Sequence, residues 1–326
     1  MSITVGSLTL DTPVVLAPMA GVTDAPFRAS VRRYGAALVY SEMVASAELL
    51  RDRRTAVLRL RGESDGCLAI QLAGRDPVAL AEAARMAEAE GAQLIDINMG
   101  CPAKKVVGGS CGSALMREPE LAQALVRAVV AAVRVPVSVK MRTGWDDPTR
   151  NAVELARIFE HEGVRMIAVH GRTRCQFYDG RADWTYIAEV KDNISIPLLA
   201  NGDVVAPQDA SAIMKVSRAD GVMIGRGAFG RPWFPAQAAK ALAGQPVPAD
   251  PPPTERWRVA LEQYRAALSH YGRAQGARVM RKHLGWYAEH AGQPELRREL
   301  VRAPDPEPLL LSLANGDDDA TMRLAA

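Results

Sequence analysis

Gln93-Leu94-Ile95-Asp96-Ile97-Asn98-Met99-Gly100-Cys101-Pro102 is the stretch whose reading decides the fold. It begins as a short, nearly continuous apolar run with β-branched residues, the pattern of a strand buried on both faces, and stops at a glycine, a cysteine and a proline. Seven further segments read the same way: VVLAP from Val14, ALVYSEM from Ala37, LAIQLAG from Leu68, VSVKMR from Val137, RMIAVHG from Arg165, PLLANGD from Pro197 and DGVMIG from Asp220. Longer Ala/Leu/Arg/Glu stretches of helical spacing follow most of them, among them Pro77–Glu90, Pro119–Val133, Arg150–His161 and Pro207–Val216. Eight such units predict an α/β fold, a closed TIM (β/α)8 barrel, over residues 1–243, close to the roughly 250 residues usual for it. GRGAFG at Gly225–Gly230 has the spacing of the dinucleotide fingerprint of an open doubly wound sheet. That fingerprint should open the first βα unit, with an acidic residue about 20 positions later; here it follows the last strand.

Beyond the barrel, GQPVPADPPPT at Gly244–Thr254 cannot continue a helix and reads as a linker. Helical spacing resumes from Glu255, with Trp257, Leu261, Tyr264 and Leu268, then Val279, Leu284, Trp286 and Tyr287, so a small helical domain is expected over 255–303. Residues 304–326 are Pro-rich and acidic and are expected to hold at most one short helix and a loose end. The net charge of +3 is uneven: residues 255–302 carry 10 Lys/Arg against 5 Asp/Glu, whereas residues 303–326 carry 1 against 5. A local basic surface fits a polyanionic partner or, equally, a solvated helical face. With 48% hydrophobic residues the chain is not a disordered one. Cys67, Cys101, Cys111 and Cys175 form no CxxC pair and have no His at ligand spacing, which suggests neither a metal site nor a disulfide scaffold. The N-terminus lacks a basic segment followed by a long apolar run, and no stretch approaches the roughly 18 apolar residues of a membrane span. These features point to the cytoplasm.

In a barrel of this kind the chemistry lies at the C-terminal ends of the strands. Here those ends carry Pro18, Met19 and Ala20; Glu42; Gln71; Asp96, Asn98 and Cys101; Lys140 and Arg142; His170 and Arg172; Asn201, Gly202 and Asp203; and Gly225 and Arg226. Glycines after the seventh and eighth strands fit the place where backbone N–H groups take a monophosphate. Lys140 needs an anionic partner on a buried strand. Reduced flavin, whose N1–C2 edge gathers negative charge, would supply one; so would an ion pair with Asp96 or Glu42. Cys101 is placed either as an acid or nucleophile or as a small buried hydrophobe.

At these residues the sequence resembles the tRNA-dihydrouridine synthases, the B-type bacterial (NifR3-like) subgroup in particular. The resemblance is carried by APMAGVTDAPFR from Ala17, QLAG from Gln71, DINMGCPAKKV from Asp96, VKMRTGW from Val139, HGRTR from His170, NGDV from Asn201, DGVMIGRGAFGRPW from Asp220 and RKHLGWY from Arg281. It implies bound FMN, NADPH as electron donor and a uridine of the tRNA D-loop as acceptor, position seventeen for the B type. Carried over position by position, Pro18, Met19, Ala20, Gln71, Lys140, His170, Asn201, Gly202, Asp203, Gly225 and Arg226 would hold FMN. Hydride would pass from flavin N5 to C6 of the uracil while Cys101 protonates C5. The helical domain would grip the tRNA through Arg273, Arg278, Arg281 and Lys282, with Arg297 and Arg298 further candidates. Asn98, Lys104, Lys105, Arg142, Arg172 and Arg174 would serve nearer the mouth. No metal is implied, and a monomer is expected. Two other readings stay open: an FMN barrel reducing a small molecule, as dihydroorotate dehydrogenases do, and a noncatalytic RNA-binding protein that keeps an inherited barrel.

Overall fold

The computed structural model describes residues 2–51 and 67–316. Eight parallel strands, β1 (Val14–Leu16), β2 (Leu38–Tyr40), β3 (Cys67–Ala73), β4 (Leu94–Met99), β5 (Val137–Arg142), β6 (Met166–His170), β7 (Leu198–Asn201) and β8 (Gly221–Ile224), pair in chain order. Pairing of Val222 on β8 with Val14 on β1 closes the ring. Helices α1 (Ala25–Arg32), α2 (Ser46–Arg51), α3 (Pro77–Ala89), α4 (Pro119–Ala132), α5 (Ala152–His161), α6 (Trp184–Lys191), α7 (Pro207–Ser217) and α8 (Phe234–Leu242) follow the strands. Several starts are written in the sequence. Asp24, Asp76 and Asp183 cap α1, α3 and α6 by accepting from the N–H groups of Phe27, Ala79 and Tyr186. The predicted barrel is the observed one.

Period-two geometry sorts each strand into two faces. Leu16, Ile70, Ile95, Ile97, Val139 and Ile167 face outward into the layer between strands and helices. Val15, Leu38, Ala69, Leu94, Met166, Ala168, Leu199 and Met223 point inward and fill the lower barrel. The inward positions further along the same strands are Gln71, Asp96, Asn98, Ser138, Lys140, His170 and Asn201, so one parity runs from an apolar floor to a polar rim. An unforeseen hairpin, Ile3–Val5 with Leu8–Leu10, closes the floor and adds Ile3, Val5 and Leu10 to the interior cluster. Its signal is visible in retrospect: apolar residues alternate on either side of Gly6-Ser7, and Gly6 has φ +59°.

Past residues 243–252, which form no helix or strand, come α9 (Pro253–Tyr271), α10 (Arg273–His290), α11 (Pro294–Arg302) and α12 (Glu307–Asn315). They share a second core built on Trp257, Tyr264, Met280, Leu284, Leu296 and Leu300, joined by Trp233 of the barrel. Among the described residues past 303 there is one short helix, α12, as many as the sequence reading allows. Leu310, Leu313 and Ala314 are buried in this core, so the helical unit runs to Asn315. Spacing of these residues at one helical turn gives the segment an apolar face, and Pro306 and Glu307 start it. The Asp317–Asp319 run lies outside the described residues. The helical unit docks where Phe229, after β8, stacks on Trp286 at 3.9 Å and 15°. Gly230 sits under the Trp286 backbone, where a Cβ would come within 2.5 Å.

Candidate active site

A cavity of about 420 Å³ opens at the C-terminal end of the barrel. Pro18, Met19, Lys140, His170, Asn201, Gly202, Asp203, Gly225 and Arg226 line it, together with Tyr178 and Val205. Of the residues expected around a cofactor, Ala20 and Gln71 are absent from its wall.

Lys140 reaches it from the middle of β5. Burial and the neighbouring Arg142 push its ammonium down to about 8, against the pull of Asp96 and Cys101. The ion pair weighed from sequence is not formed. Both Asp96 oxygens are taken, one by Gln71 Nε2 at 2.6 Å and the other by the Ser138 hydroxyl at 2.5 Å. Glu42 accepts from the Gly21 N–H. Among the described residues Lys140 makes no ion pair or hydrogen bond, so a cation stands at the cavity wall without an acceptor. Burial pushes the Asp96 carboxyl up to about 7.

His170 is neutral: burial and the surrounding Lys140, Arg142, Arg172 and Arg226 hold it well below its ordinary value. Arg172 Nη1 lies 3.2 Å from His170 Nε2. A guanidinium only donates, so Nε2 accepts and the ring proton sits on Nδ1. The same guanidinium donates to both Asp203 oxygens at 2.8 Å and to the carbonyls of Asp179 and Gly180. Asp203 occupies the left-handed region at φ +60°. It follows Gly202, where a Cβ would meet Ala182 at 2.8 Å and the His170 ring at 3.2 Å. Asn201 donates to the Met223 carbonyl at 2.8 Å and borders the cavity. The Gly225 and Arg226 N–H groups have no protein acceptor among the described residues.

Three residues expected to touch RNA have other tasks. Arg172 is buried with every nitrogen engaged. Arg142, also buried, donates to the carbonyls of Gly100 at 2.9 Å and Thr173 at 2.7 Å. Asn98 accepts from the N–H groups of Gly100 and Cys101 at 3.2 and 3.0 Å and donates to Gln71 at 2.8 Å. All three brace the site. Sequence reading credited their strand-end position without seeing how many backbone carbonyls and N–H groups converge there.

Cys101 is a free, half-buried cysteine at the end of β4. Its carbonyl accepts from the N–H and hydroxyl of Ser113, and its thiol lies within electrostatic reach of Lys140 and Arg142. Lys104 and Lys105 follow on a one-turn helix, exposed. In the helical unit Lys282 extends back to the barrel mouth, its Nζ 2.9 Å from where a Gly21 Cβ would stand. Arg281 is exposed, and Arg278 donates only to Gln275. Arg273, Arg297 and Arg298 instead pair with Asp305, Glu289 and Glu295.

Tyr178 went unforeseen. It lies in the loop after β6, against the rings and cations of the site: His170 at 6.3 Å, with the Arg142 and Arg226 guanidiniums at 5.5 and 4.6 Å. Phe177 before it has φ +56°. A loop aromatic leaves no periodic signal.

Residues 15–320 match the family profile of dihydrouridine synthase (Dus). The chain belongs to the dihydrouridine synthase family. Among its relatives in that family, a probable tRNA-dihydrouridine synthase of Rhodobacter capsulatus is 52% identical over 308 residues, 94% of this chain and 95% of that protein. The tRNA-dihydrouridine synthase B of Xanthomonas axonopodis pv. citri is 47% identical over 308 residues, covering 93% and 92%. In fold the chain is similar to the old yellow enzyme homologue of Zymomonas mobilis, at TM-score 0.54 and 15% identity over 78% of this chain and 95% of that one. Among the described residues no helix is long and apolar enough to cross a membrane.

Proposed function

We propose that the protein reduces a uridine of the tRNA D-loop to 5,6-dihydrouridine, with FMN in the barrel cavity and NADPH as electron donor. Lys140 carries the reading: a cation at a cavity wall, lacking a protein acceptor among the described residues, is a place for an electron-rich ring edge. The surroundings fit the same cofactor. Unused N–H groups of Gly225 and Arg226, with the Arg226 side chain, suit a monophosphate. Asn201 and neutral His170 offer hydrogen bonds to the ring system, and Pro18 and Met19 an apolar edge. Gln71 supports this wall from behind through Asn98, while Ala20 stands outside it.

When bound, FMN supplies the hydride that adds to C6 of the uracil. The remaining steps fall to the protein. Cys101 delivers a proton to C5, the carbon left electron-rich by that addition. Asn98 and Arg142 fix the backbone at Gly100 and Cys101 so that the thiol faces the ring, and Lys140 offsets charge that builds during the transfer. A folded tRNA hides its target base, so the backbone has to be held while the base is drawn in. The exposed Lys104, Lys105, Arg278 and Arg281, with the part-buried Lys282, are cations placed to do this. A thiol acid suits the reducing cytoplasm.

The test is to incubate the purified protein with NADPH and unmodified tRNA, digest the RNA and quantify dihydrouridine by mass spectrometry, beside Cys101→Ala. Product from the wild type and a loss on the order of 10²-fold or more in the variant is the expected result. A flavin-loaded, NADPH-reducible protein that yields no dihydrouridine, even with otherwise fully modified tRNA, would overturn the reading in favour of a small-molecule reductase.

A further inference from the structure

Three consecutive loops at the C-terminal face of the barrel meet at one ring. Arg117 ends the segment that follows Cys101, Trp145 comes just after β5 and Arg174 just after β6. The guanidinium carbons of Arg117 and Arg174 lie over the Trp145 ring, 4.7 and 4.8 Å from its centroid. The β5 and β6 loops are pinned together by Arg174 N–H to Gly144 O and Cys175 N–H to Trp145 O, both 2.9 Å. Arg117 is exposed, and Arg174 Nε is buried without a hydrogen-bond partner.

Several surface arginines are paired with carboxylates: Arg75 with Glu118, Arg127 with Glu162, Arg150 with Asp147 and Asp183, Arg218 with Asp192. Neither Arg117 nor Arg174 has an acidic partner among the described residues. The nearby carboxylates have other partners. Asp146 accepts from Thr149, Asp147 pairs with Arg150, and Glu118, next in sequence to Arg117, pairs with Arg75. Two like charges held on one ring repel, and stacking at an exposed site offsets only part of that. An anion bound between or beside them would remove that cost. Arginine planes fixed in advance are suited to phosphate oxygens.

We infer that Arg117, Trp145 and Arg174 form a preset clamp for a backbone phosphate of the RNA strand that presents the target uridine. The inference rests on the functional reading above. It adds a contact made by the barrel itself, on the face that holds Cys101, to the contacts made by the helical unit. Trp145 is a positioning residue here: it orients the two guanidiniums and is covered by them.

Binding of unmodified tRNA to the flavin-loaded full chain is measured over a range of salt, with the KM for tRNA in dihydrouridine formation and the KM for NADPH in flavin reduction. Arg117→Ala and Arg174→Ala should each weaken tRNA binding severalfold and flatten the slope of log K against log salt by about 0.7–0.9, the contribution of one phosphate contact. The KM for tRNA should rise while kcat, flavin content and the KM for NADPH stay put. Arg117→Lys keeps the charge and loses the stacked plane, so it should weaken binding with the slope retained. Arg85→Ala, at a site paired with Glu82, serves as the control. Unchanged slope and KM for tRNA in both alanine variants would overturn the clamp while wild-type dihydrouridine formation remained. A raised KM for NADPH with tRNA binding intact would also overturn it, by giving the site to the dinucleotide. Absence of both tRNA binding and dihydrouridine in the wild type would sink the functional reading and the clamp together.

Discussion

Between Cys101 and the barrel interior runs a chain of hydrogen bonds: Ser138 to Asp96, Gln71 to Asp96, Asn98 to Gln71, and the Cys101 N–H to Asn98. Every link except Cys101 sits at an inward strand position, so the apolar barrel core and the acid at its mouth are joined by side chains of one parity. Asn98→Ala removes the last link. It is expected to lower the rate of dihydrouridine formation about tenfold or more, since small misplacements of a reacting group are costly, and to leave flavin content unchanged. A rate equal to wild type would show that Ser113 alone holds the loop. Lys140 offers a pH test. Burial and Arg142 push its ammonium down to about 8, so above that pH FMN binding has to be accompanied by proton uptake. Flavin affinity, followed by quenching of FMN fluorescence, should therefore fall as pH rises from 7.5 to 9.5, and Lys140→Met should bind more weakly with that fall removed. Parallel profiles would assign the dependence to another group. Strand-end position made the cavity-lining Lys140, His170 and Asn201 legible in the sequence. It could not tell that Arg172 and Arg142 are occupied by backbone carbonyls, because such acceptors come from loops whose course has no period.

At the scale of elements, the RKHLGWY segment divides by helix face. Arg281 is exposed and Lys282 reaches the mouth, while His283, Leu284 and Tyr287 are buried. His283 packs on Phe27 and Trp286 and takes a hydrogen bond from Gln263, which also accepts from the Tyr287 hydroxyl. Burial and the adjacent Lys282 push its imidazole down to about 3. A folded value below the ordinary 6.5 means that the unfolded chain binds the extra proton. The contribution of neutral His283 is thus fully present above pH 6.5 and is lost as pH falls, by about 2 kcal/mol between pH 6.5 and 5. His283→Asn, which cannot titrate, should flatten that part of the profile in urea unfolding at pH 7.5, 6 and 5; equal slopes for the two proteins would refute the assignment. Strands and barrel helices were readable because each repeats a period over several residues. The Ile3–Leu10 hairpin was not, since it is short and lies in a segment judged by what it lacked; for residues 304–326 composition allowed a short helix without showing that its apolar face joins the second core.

For the molecule as a whole, the close approach of Gly230 to Trp286 decides how the helical unit sits on the barrel. Gly230 has φ +65° and faces backbone atoms that cannot move aside as a side chain would. Gly230→Ala should cost about 2 kcal/mol or more through strain and displacement. Tilting the unit away from the mouth should reduce tRNA-dependent turnover far more than flavin reduction by NADPH; equal losses in the two assays would place the damage inside the barrel. The basic excess of residues 255–302 was visible in composition. Its partial neutralisation by Asp305 and Glu307, which pair with Arg273 and Arg265, depends on α12 folding back onto α9. The hairpin at the barrel floor has a consequence for synthesis. Its apolar residues precede every barrel strand in the chain, yet their resting place includes Leu199 and Met223, and β1 has no neighbour on one side until β8 exists. At about 5–20 residues per second, the nascent chain carries an unsatisfied edge and an undocked apolar hairpin for roughly ten to forty seconds. The hairpin, made ahead of the barrel strands, is thus among the last parts of the barrel to be sheltered, and its exposure falls in the interval before the active site has been assembled.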